Sequence, residues 1–309
     1  MTKRSSAIGV LCAIGAQVLY GFSFLFSKQW SGRVSGFTLL SWRFLFAFVA
    51  MSLLALLRLL PIRLRGKKLL PLLLLAFFHP ILYFLGEFFG VKLTTASESG
   101  TIISIIPIVT VLLSAWLLKE PPTKKQALGI GLSVCGVVAL VLARGVTASF
   151  HILGYALLLG AVTAYSLFSI VSRSLTDTTP AEKTYIMSAV GALGFTLCAV
   201  VEHLRAGTFA AFAVLPFTNL DFLLCQLYLG VGCSVAGFIM SNYAISSIGP
   251  GRTTSFAGLT TLITVLAGVL LLSEPFSLLQ GAATALVIGG VYLANASRKN
   301  VQTANCKLQ

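Results

Sequence analysis

Charge is what this sequence has least of. Only 10% of its 309 residues are Asp, Glu, Lys or Arg, whereas 57% are hydrophobic. Soluble domains carry roughly 25% charged residues. A chain so poor in charge cannot cover a water-facing surface, so most of its outside must face lipid. This composition excludes an ordinary soluble enzyme or binding domain.

The sequence also lacks the motifs of metal, phosphate and redox chemistry. It has no Gly-rich phosphate loop, no H-E-x-x-H and no C-x-x-C. Cys306 lies in the polar tail, and of the three histidines only His79 lies well inside an apolar run. The other five cysteines fall within apolar runs, where a thiol behaves as a small apolar side chain: Cys12, Cys135, Cys198, Cys225 and Cys233. We therefore expect no cofactor, no metal site, no disulfide framework and no enzymatic activity, with an intramembrane enzyme as the weakest alternative.

Long apolar runs are what the sequence has in quantity. A helix that spans a bilayer needs about 20 apolar residues. Ten runs qualify: 5–27, 36–57, 69–91, 97–118, 126–143, 152–172, 184–201, 222–251, 253–273 and 275–297. The first run is longer than the apolar region of a signal peptide and no A-x-A cleavage site follows it, so we interpret it as a retained helix. The sequence predicts an all-α integral membrane protein with ten transmembrane helices.

The basic residues are distributed unevenly between the connections. The net charge is +14, and with ten spans 16 of the 22 Lys and Arg residues fall on the side of the N-terminus, Lys183 among them. Five fall on the other side: Lys28, Arg33, Lys92, Arg144 and Arg205. This bias follows the positive-inside rule and predicts that both termini are cytoplasmic, in the plasma membrane of the cell. The basic residues form no patch with interleaved aromatics, so we expect the lipid bilayer and a small solute as partners, and no nucleic acid.

The chain repeats itself. At an offset of 154 residues Thr110, Glu120-Pro121, Gln126 and Gly136-Val137 recur as Thr264, Glu274-Pro275, Gln280 and Gly290-Val291, and at an offset of 145 Tyr20 and Lys28 match Tyr165 and Arg173. Each copy holds five spans. Because five is odd, the second copy must enter the membrane from the opposite side. The sequence therefore predicts an inverted-topology repeat, an architecture associated with transporters.

These motifs resemble a known family. Pro107 in the fourth span, the Leu-rich stretch before Glu-Pro, the Tyr20-Gly21-Phe-Ser23-Phe ending of span 1 and Arg43-Phe-Leu in span 2 are similar to EamA-type transporters of the drug/metabolite transporter (DMT) superfamily. The resemblance covers residues 7–297. It implies a first repeat at 7–143, a second at 151–297, a short tail at 298–309 and a central cavity for small metabolites. In the second half Thr261 replaces Pro107 and no arginine matches Arg43, so the site should be asymmetric.

Charged groups inside the spans are the candidate site residues, because such groups are costly in lipid and usually face the protein interior. His79, Tyr83 and Glu87 follow one another at helical spacing on span 3. Arg43, preceded by Trp42, is predicted at a depth similar to that of Glu87. Three interpretations stay open: a structural Arg43–Glu87 pair, an Arg43 that binds a substrate carboxylate, and a Glu87 that carries a coupled proton with His79.

Further polar positions suit a cavity lining or a structural role. Tyr20, Ser23, Tyr165 and Asn242 would suit a cavity for amino-acid-like solutes. Glu98 opens span 4 within reach of Arg43 or Lys92, Glu120 and Glu274 are expected to cap turns, and Gly281, Ala285 and Gly289 are expected to form a packing face. The favoured function is a permease that works by alternating access. A channel, or a receptor or scaffold without carrier activity, is the alternative, and the oligomeric state stays open.

Overall fold

The computed structural model describes residues 3–118, 123–143, 152–254, 256–273 and 277–296. Within those ranges all regular structure is helical. The helices are α1 (Lys3–Trp30), α2 (Gly36–Leu56), α3 (Leu69–Leu93), α4 (Ala96–Ile103), α5 (Ile106–Leu118), α6 (Lys124–Ala143), α7 (Ile152–Ser174), α8 (Pro180–Arg205), α9 (Phe209–Thr218), α10 (Leu220–Ile248), α11 (Pro250–Thr254), α12 (Ala257–Leu271) and α13 (Leu278–Ala296).

Seven helical stretches in the described ranges are long and apolar enough to cross a membrane: Ser6–Trp30, α2, α3, α7, α8, α10 and Pro250–Leu271. Each of these holds at least 21 residues, which at about 1.5 Å per residue spans the apolar core of a bilayer. The chain is therefore an all-helical integral membrane protein. Shorter apolar helices lie at the remaining predicted spans, and α9 is a helix that the sequence analysis did not predict.

Side-chain caps explain where several helices begin. Ser35 accepts a hydrogen bond from the Thr38 N–H at the start of α2. Thr95 and Glu98 form a capping box at the start of α4, and Thr179 and Glu182 form another at the start of α8. Each cap satisfies N–H groups that the first helical turn leaves unpaired, which matters most where water is scarce.

The helices α3 and α10 are both interrupted by π-helical segments, at Phe77–Leu82 and Tyr228–Gly237. In α3 the cause is local, because His79 precedes Pro80 and has φ −145° and ψ 105°. The ring of a proline disfavours helical geometry in the residue before it. Pro107 similarly lies in the first turn of α5, where its missing N–H removes no helical hydrogen bond, and the helical run of predicted span 4 is broken just before it.

The helices pack in matched sets. Helix α2 packs along α8, and α6 packs along α13. Helices α3 and α5 both pack against α7. In the matching arrangement, α10 and α12 both pack against α1. The largest cluster of buried apolar side chains joins residues from both halves of the chain, among them Phe44, Phe84, Phe168 and Phe238. The core therefore lies between the halves.

Glycine permits the close approach of α6 and α13. A Cβ atom added at Gly136 would lie 2.8 Å from the Val287 nitrogen, and one added at Gly290 would lie 2.6 Å from the Ser133 nitrogen. The Ser133 hydroxyl donates to the Val287 carbonyl at 3.0 Å. The predicted packing face was wrong: Ala285 and Gly289 are exposed, and the face of α13 that packs is formed by Ala283, Val287 and Gly290.

Candidate functional site

A small cavity lies in the centre of the molecule. Its volume is about 30 Å³, and it is lined by Gln17, Tyr20, Phe24, Tyr83, Ile103, Ile106, Tyr165, Thr254, Ala257 and Thr260. Pockets for small molecules usually measure about 300–1,000 Å³. The cavity has room for about one water molecule. The cavity is therefore too small for a metabolite in this structure, and a metabolite needs a rearrangement of the surrounding helices to enter.

A narrow crevice continues from this cavity. It is lined by Tyr20, His79, Tyr165, Phe168, Met187, Phe238, Ser241 and Asn242. Tyr20 and Tyr165 line both the cavity and the crevice, so the two spaces are adjacent. The Tyr165 hydroxyl lies 3.1 Å from the Ser241 hydroxyl. Of the four polar residues predicted to line a cavity, Tyr20 and Tyr165 line both spaces and Asn242 lines the crevice.

His79 is buried in a cage of aromatic rings. Its ring centroid lies 4.7–5.3 Å from those of five neighbours: Tyr83, Phe84, Tyr165, Phe168 and Phe238. Its Nδ1 atom is buried and has no hydrogen-bond partner in the described part of the chain. An unpaired buried polar atom costs free energy unless a ligand, a water molecule or a proton satisfies it. The π-helical segment aims this imidazole at the crevice.

Tyr83 and Glu87 continue from His79 along α3. All three side chains are buried, although the π-helical segment breaks the regular helical spacing on which the sequence prediction relied. The Tyr83 ring lines the cavity. Glu87 is 3% exposed, and no hydrogen bond or ion pair joins it to another described residue.

Arg43 is held by contacts other than a carboxylate. Its Nε donates to the Ser234 hydroxyl at 2.9 Å, and its guanidinium carbon lies 4.2 Å from the centroid of the Phe84 ring. A guanidinium stacked on an aromatic face gains a cation–π interaction. The direct ion pair with Glu87, one of the three interpretations of the sequence, is not formed in this structure, since no Arg43 nitrogen lies within 4 Å of a Glu87 oxygen.

Four of the predicted site residues line neither the cavity nor the crevice: Ser23, Trp42, Arg43 and Glu87. The Trp42 indole N–H donates to the Phe212 carbonyl at 3.2 Å, and its ring packs against α9 through Phe212 and Phe217. Successive helical side chains diverge, so a residue next to Arg43 faces elsewhere. The Ser23 hydroxyl donates to the Tyr20 carbonyl of its own helix at 2.8 Å. Trp42 thus anchors an extra helix, which the sequence analysis did not anticipate.

Asn242 belongs to a buried polar network that the sequence only partly revealed. Its Oδ1 accepts from the Ser172 hydroxyl at 2.9 Å. The Lys183 ammonium in turn donates to the Ser172 carbonyl at 2.5 Å. From the sequence, Lys183 is expected in a connection before span 7, but α8 begins at Pro180 and the Lys183 side chain is fully buried. The capping box of Thr179, with Pro180 after it, is the sequence signal that would have found this earlier start.

The remaining acidic candidates have structural surroundings or lie outside the description. Glu98 accepts from the Thr95 N–H at 3.0 Å within its capping box, and also from the Tyr155 hydroxyl at 3.0 Å. These contacts anchor the start of α4 to α7. Glu120 and Glu274 lie outside the described residues.

Comparisons with known proteins agree on one family. The model of the EamA-like transporter family matches residues 7–142 and again residues 152–296. The chain is similar to the uncharacterized transporter YcxC of Bacillus subtilis (strain 168), with 33% identity over 297 residues that cover 96% of this chain and 95% of that protein. A WAT1-related protein of Arabidopsis thaliana is 24% identical over 263 residues, covering 74% of this chain and 69% of its own.

A solved crystal structure has the same fold. It superposes on 95% of this chain and on 99% of its own length with a TM-score of 0.64, at 20% sequence identity. The family model covers most of the chain, and the relatives named above are transporters or WAT1-related proteins. The chain therefore belongs to the EamA-like transporter family and is a membrane transporter of the drug/metabolite transporter superfamily.

Proposed function

We propose that the chain is a permease for small, amino-acid-like metabolites that works by alternating access around the central cavity, without enzymatic activity. The observation that carries the proposal is the identity of the lining residues. Tyr20 and Tyr165 are related by the offset of 145, and two further pairs by the offset of 154: Ile103 with Ala257 and Ile106 with Thr260. A cavity lined by matched positions lies where two repeats meet, as in transporters built from inverted repeats.

Hydrogen bonds between the halves support the same symmetry. The Thr110 hydroxyl donates to the Ser166 hydroxyl at 3.1 Å, and its counterpart Thr264 donates to the Gly21 carbonyl at 3.0 Å. Gly21 and Ser166 are themselves related by the offset of 145. The two bonds join the same two repeat positions with the halves exchanged, although the acceptor is a hydroxyl in one and a backbone carbonyl in the other. This exchange supports two five-span repeats, at 7–143 and 151–297, that enclose one solute pocket within a ten-span layout.

The proposed orientation places both termini in the cytoplasm, at the plasma membrane. Inversion requires the α1–α2 connection and the α7–α8 connection to lie on opposite faces of the membrane. Gly32 and Thr176 are exposed in these connections. We expect G32C and T176C, each in a background without native cysteines, to react with an impermeant maleimide from opposite sides. Reaction from the same side would rule out the inverted repeat.

Arg43 is the proposed contact for a substrate carboxylate. A guanidinium has five N–H donors, and only Nε has a hydrogen-bond partner among the described residues. The remaining donors suit the paired acceptors of a carboxylate. The aromatic lining of the cavity suits an apolar side chain. Together these groups favour a solute with one anionic end and one apolar end.

Glu87 and His79 are the proposed proton-coupling groups. Glu87 is buried and unpaired among the described residues, and His79 carries an unpartnered Nδ1 on the same helix. Each could gain or lose a proton without breaking a contact of the resting structure. We expect Glu87→Gln to abolish the pH dependence of transport, whereas Glu202→Gln, at the far end of α8, should leave it intact. Unchanged pH dependence in Glu87→Gln would exclude the coupling role.

The transport function itself can be tested in two steps. A thermal-shift screen of the purified protein against amino acids and nucleobase-like compounds should find ligands, because a ligand that binds the folded state raises its stability. A counterflow assay in liposomes with such a ligand should then show trans-stimulation. A channel would conduct without trans-stimulation, and a receptor or scaffold would bind without flux.

A further inference from the structure

Lys183 is a buried cation without a carboxylate. Its side chain is fully buried, and its ammonium donates to the carbonyl of Ser172 at 2.5 Å and contacts the Ser172 hydroxyl at 3.4 Å. No carboxylate of the described residues lies within 4 Å of the ammonium. A buried charged group in a membrane helix is costly, and such groups often mark a solute pathway.

A neutral donor could fill the structural role of this residue. The carbonyl that Lys183 caps belongs to Ser172 near the C-terminal end of α7, where the helix dipole favours a cation, whereas the first turns of α8 oppose one. A neutral hydroxyl or amide donor would satisfy the same carbonyl with less desolvation of charge. The charge of the ammonium therefore leaves room for a further role.

The position of Lys183 points to such a further role, because the residue continues the line of the crevice. On α8 it lies one turn before Met187, which lines the crevice, and therefore on the same helix face. Ser172 lies two turns after Tyr165 on α7 and bonds to Asn242 of α10, and both Tyr165 and Asn242 line the crevice. The central cavity, the crevice and the Lys183 ammonium thus form one series.

Lys183 and Arg43 lie at different depths along the packed helices α2 and α8. Helix α2 runs beside α8, and the ring of Phe48 packs against that of Tyr185 with centroids 5.6 Å apart. Lys183 is therefore level with a position on α2 roughly seven residues beyond Arg43. At 1.5 Å per residue this is a separation of about 10 Å along the helices.

We propose that Lys183 is a second anion-binding residue of the pathway, which takes the carboxylate of a solute when the end formed by α7, α8 and α10 opens. The solute class is an organic acid or amino acid whose carboxylate passes between Arg43 and Lys183. In the closed form the ammonium donates to the carbonyl of Ser172. When this end opens, the solute carboxylate replaces the carbonyl as a stronger, charge-assisted acceptor. This inference rests on the proposed function and adds a residue at the cytoplasmic end.

The test uses matched variants in proteoliposomes of the full chain. The variants are Lys183→Met, Lys183→Arg and, as control, Arg173→Met. Arg173 is an exposed cation at the same end that donates to the Ser246 carbonyl, so its removal also deletes one charge and one capping bond. The probes are L-phenylalanine and L-phenylalaninamide, which differ only at the carboxylate, and each is presented from either face. Thermal unfolding in detergent shows that each variant is folded.

We expect Lys183→Met to raise the half-saturating concentration of L-phenylalanine about tenfold, and only when the solute is presented from the cytoplasmic face. This factor corresponds to the loss of roughly one charge-assisted contact. Lys183→Arg, Arg173→Met and every measurement with the amide should change by less than about threefold. Equal effects on acid and amide, or equal effects of Lys183→Met and Arg173→Met, would overturn the inference.

A binding measurement separates this inference from the proposed function. If the wild-type protein moves neither probe, the proposal of an amino-acid-like substrate fails, and Lys183 is judged by thermal shift with phenylacetate and phenylacetamide. Stabilisation of the wild type by phenylacetate, lost in Lys183→Met and kept in Arg173→Met, supports an anion site. Equal stabilisation of both variants, or none of the wild type, contradicts it.

Discussion

Replacing Gly290 by alanine tests the contact between α6 and α13 with a single methyl group. Its Cβ would lie 2.4 Å from the Ser133 hydroxyl oxygen, 2.6 Å from the Ser133 nitrogen and 2.7 Å from the Gly129 carbonyl oxygen. Two of these three atoms are backbone, so no rotamer change can relieve the clash. The neighbouring Gly289 provides a control, because a Cβ there meets no atom within 4 Å.

The two substitutions should change stability in opposite directions. Alanine is favoured over glycine in a helix by about 0.5–1 kcal/mol, and Gly289→Ala should gain part of this. Gly290→Ala gains the same amount but must push the two backbones apart toward ordinary contact distances. Overpacking of this kind costs about 1–3 kcal/mol. We therefore expect a net loss of about 1–2 kcal/mol for Gly290→Ala.

The measurement is thermal unfolding of the purified variants in one detergent. A change of 1 kcal/mol shifts the midpoint of a chain of this size class by about 2–4 °C, so Gly290→Ala should unfold several degrees below Gly289→Ala. The counterpart Gly136→Ala should behave like Gly290→Ala, because its Cβ would lie 2.8 Å from the Val287 nitrogen. Equal midpoints for Gly289→Ala and Gly290→Ala would refute the close approach of these helices.

Four further substitutions, used in three tests, separate structural contacts from the pathway. Glu182→Ala should lower the free energy of unfolding by about 1 kcal/mol more than Lys67→Ala does, as measured by denaturant titration. The reason is that Glu182 also accepts from the Thr179 and Arg63 N–H groups, whereas Lys67→Ala removes only the pair with Glu182. Equal losses of stability would contradict this. Trp42→Phe should cost about 1 kcal/mol through its bond to Phe212 yet leave solute affinity unchanged, and a changed affinity in the ligand thermal shift would place Trp42 in the pathway. Ser234→Ala should lower stability by about 1–2 kcal/mol because it removes the acceptor of Arg43, and wild-type stability would show that Arg43 has another partner.

Much of the candidate site could be predicted because charge in lipid is costly wherever it lies. His79, Glu87 and Arg43 were predicted to face the interior on that ground, and Tyr83 by its helical spacing with His79 and Glu87; all four are buried. The motifs also predicted the family, which the family model and YcxC bear out. The prediction that Trp42 lines the cavity failed, because an indole suits a cavity, a membrane interface or a contact with another helix equally well.

Composition and the length of the apolar runs by themselves determined that this chain is helical and lies in a membrane, because a backbone in lipid must satisfy its own hydrogen bonds. Tertiary structure alone decided which face of each helix packs, as α13 shows, since a register offset of one residue rotates a helix face by about 100°. It also decided that Lys183 is buried and that Arg43 contacts Ser234 and Phe84 instead of Glu87. Such contacts join residues far apart in the chain, and their partners are fixed only when the helices come together.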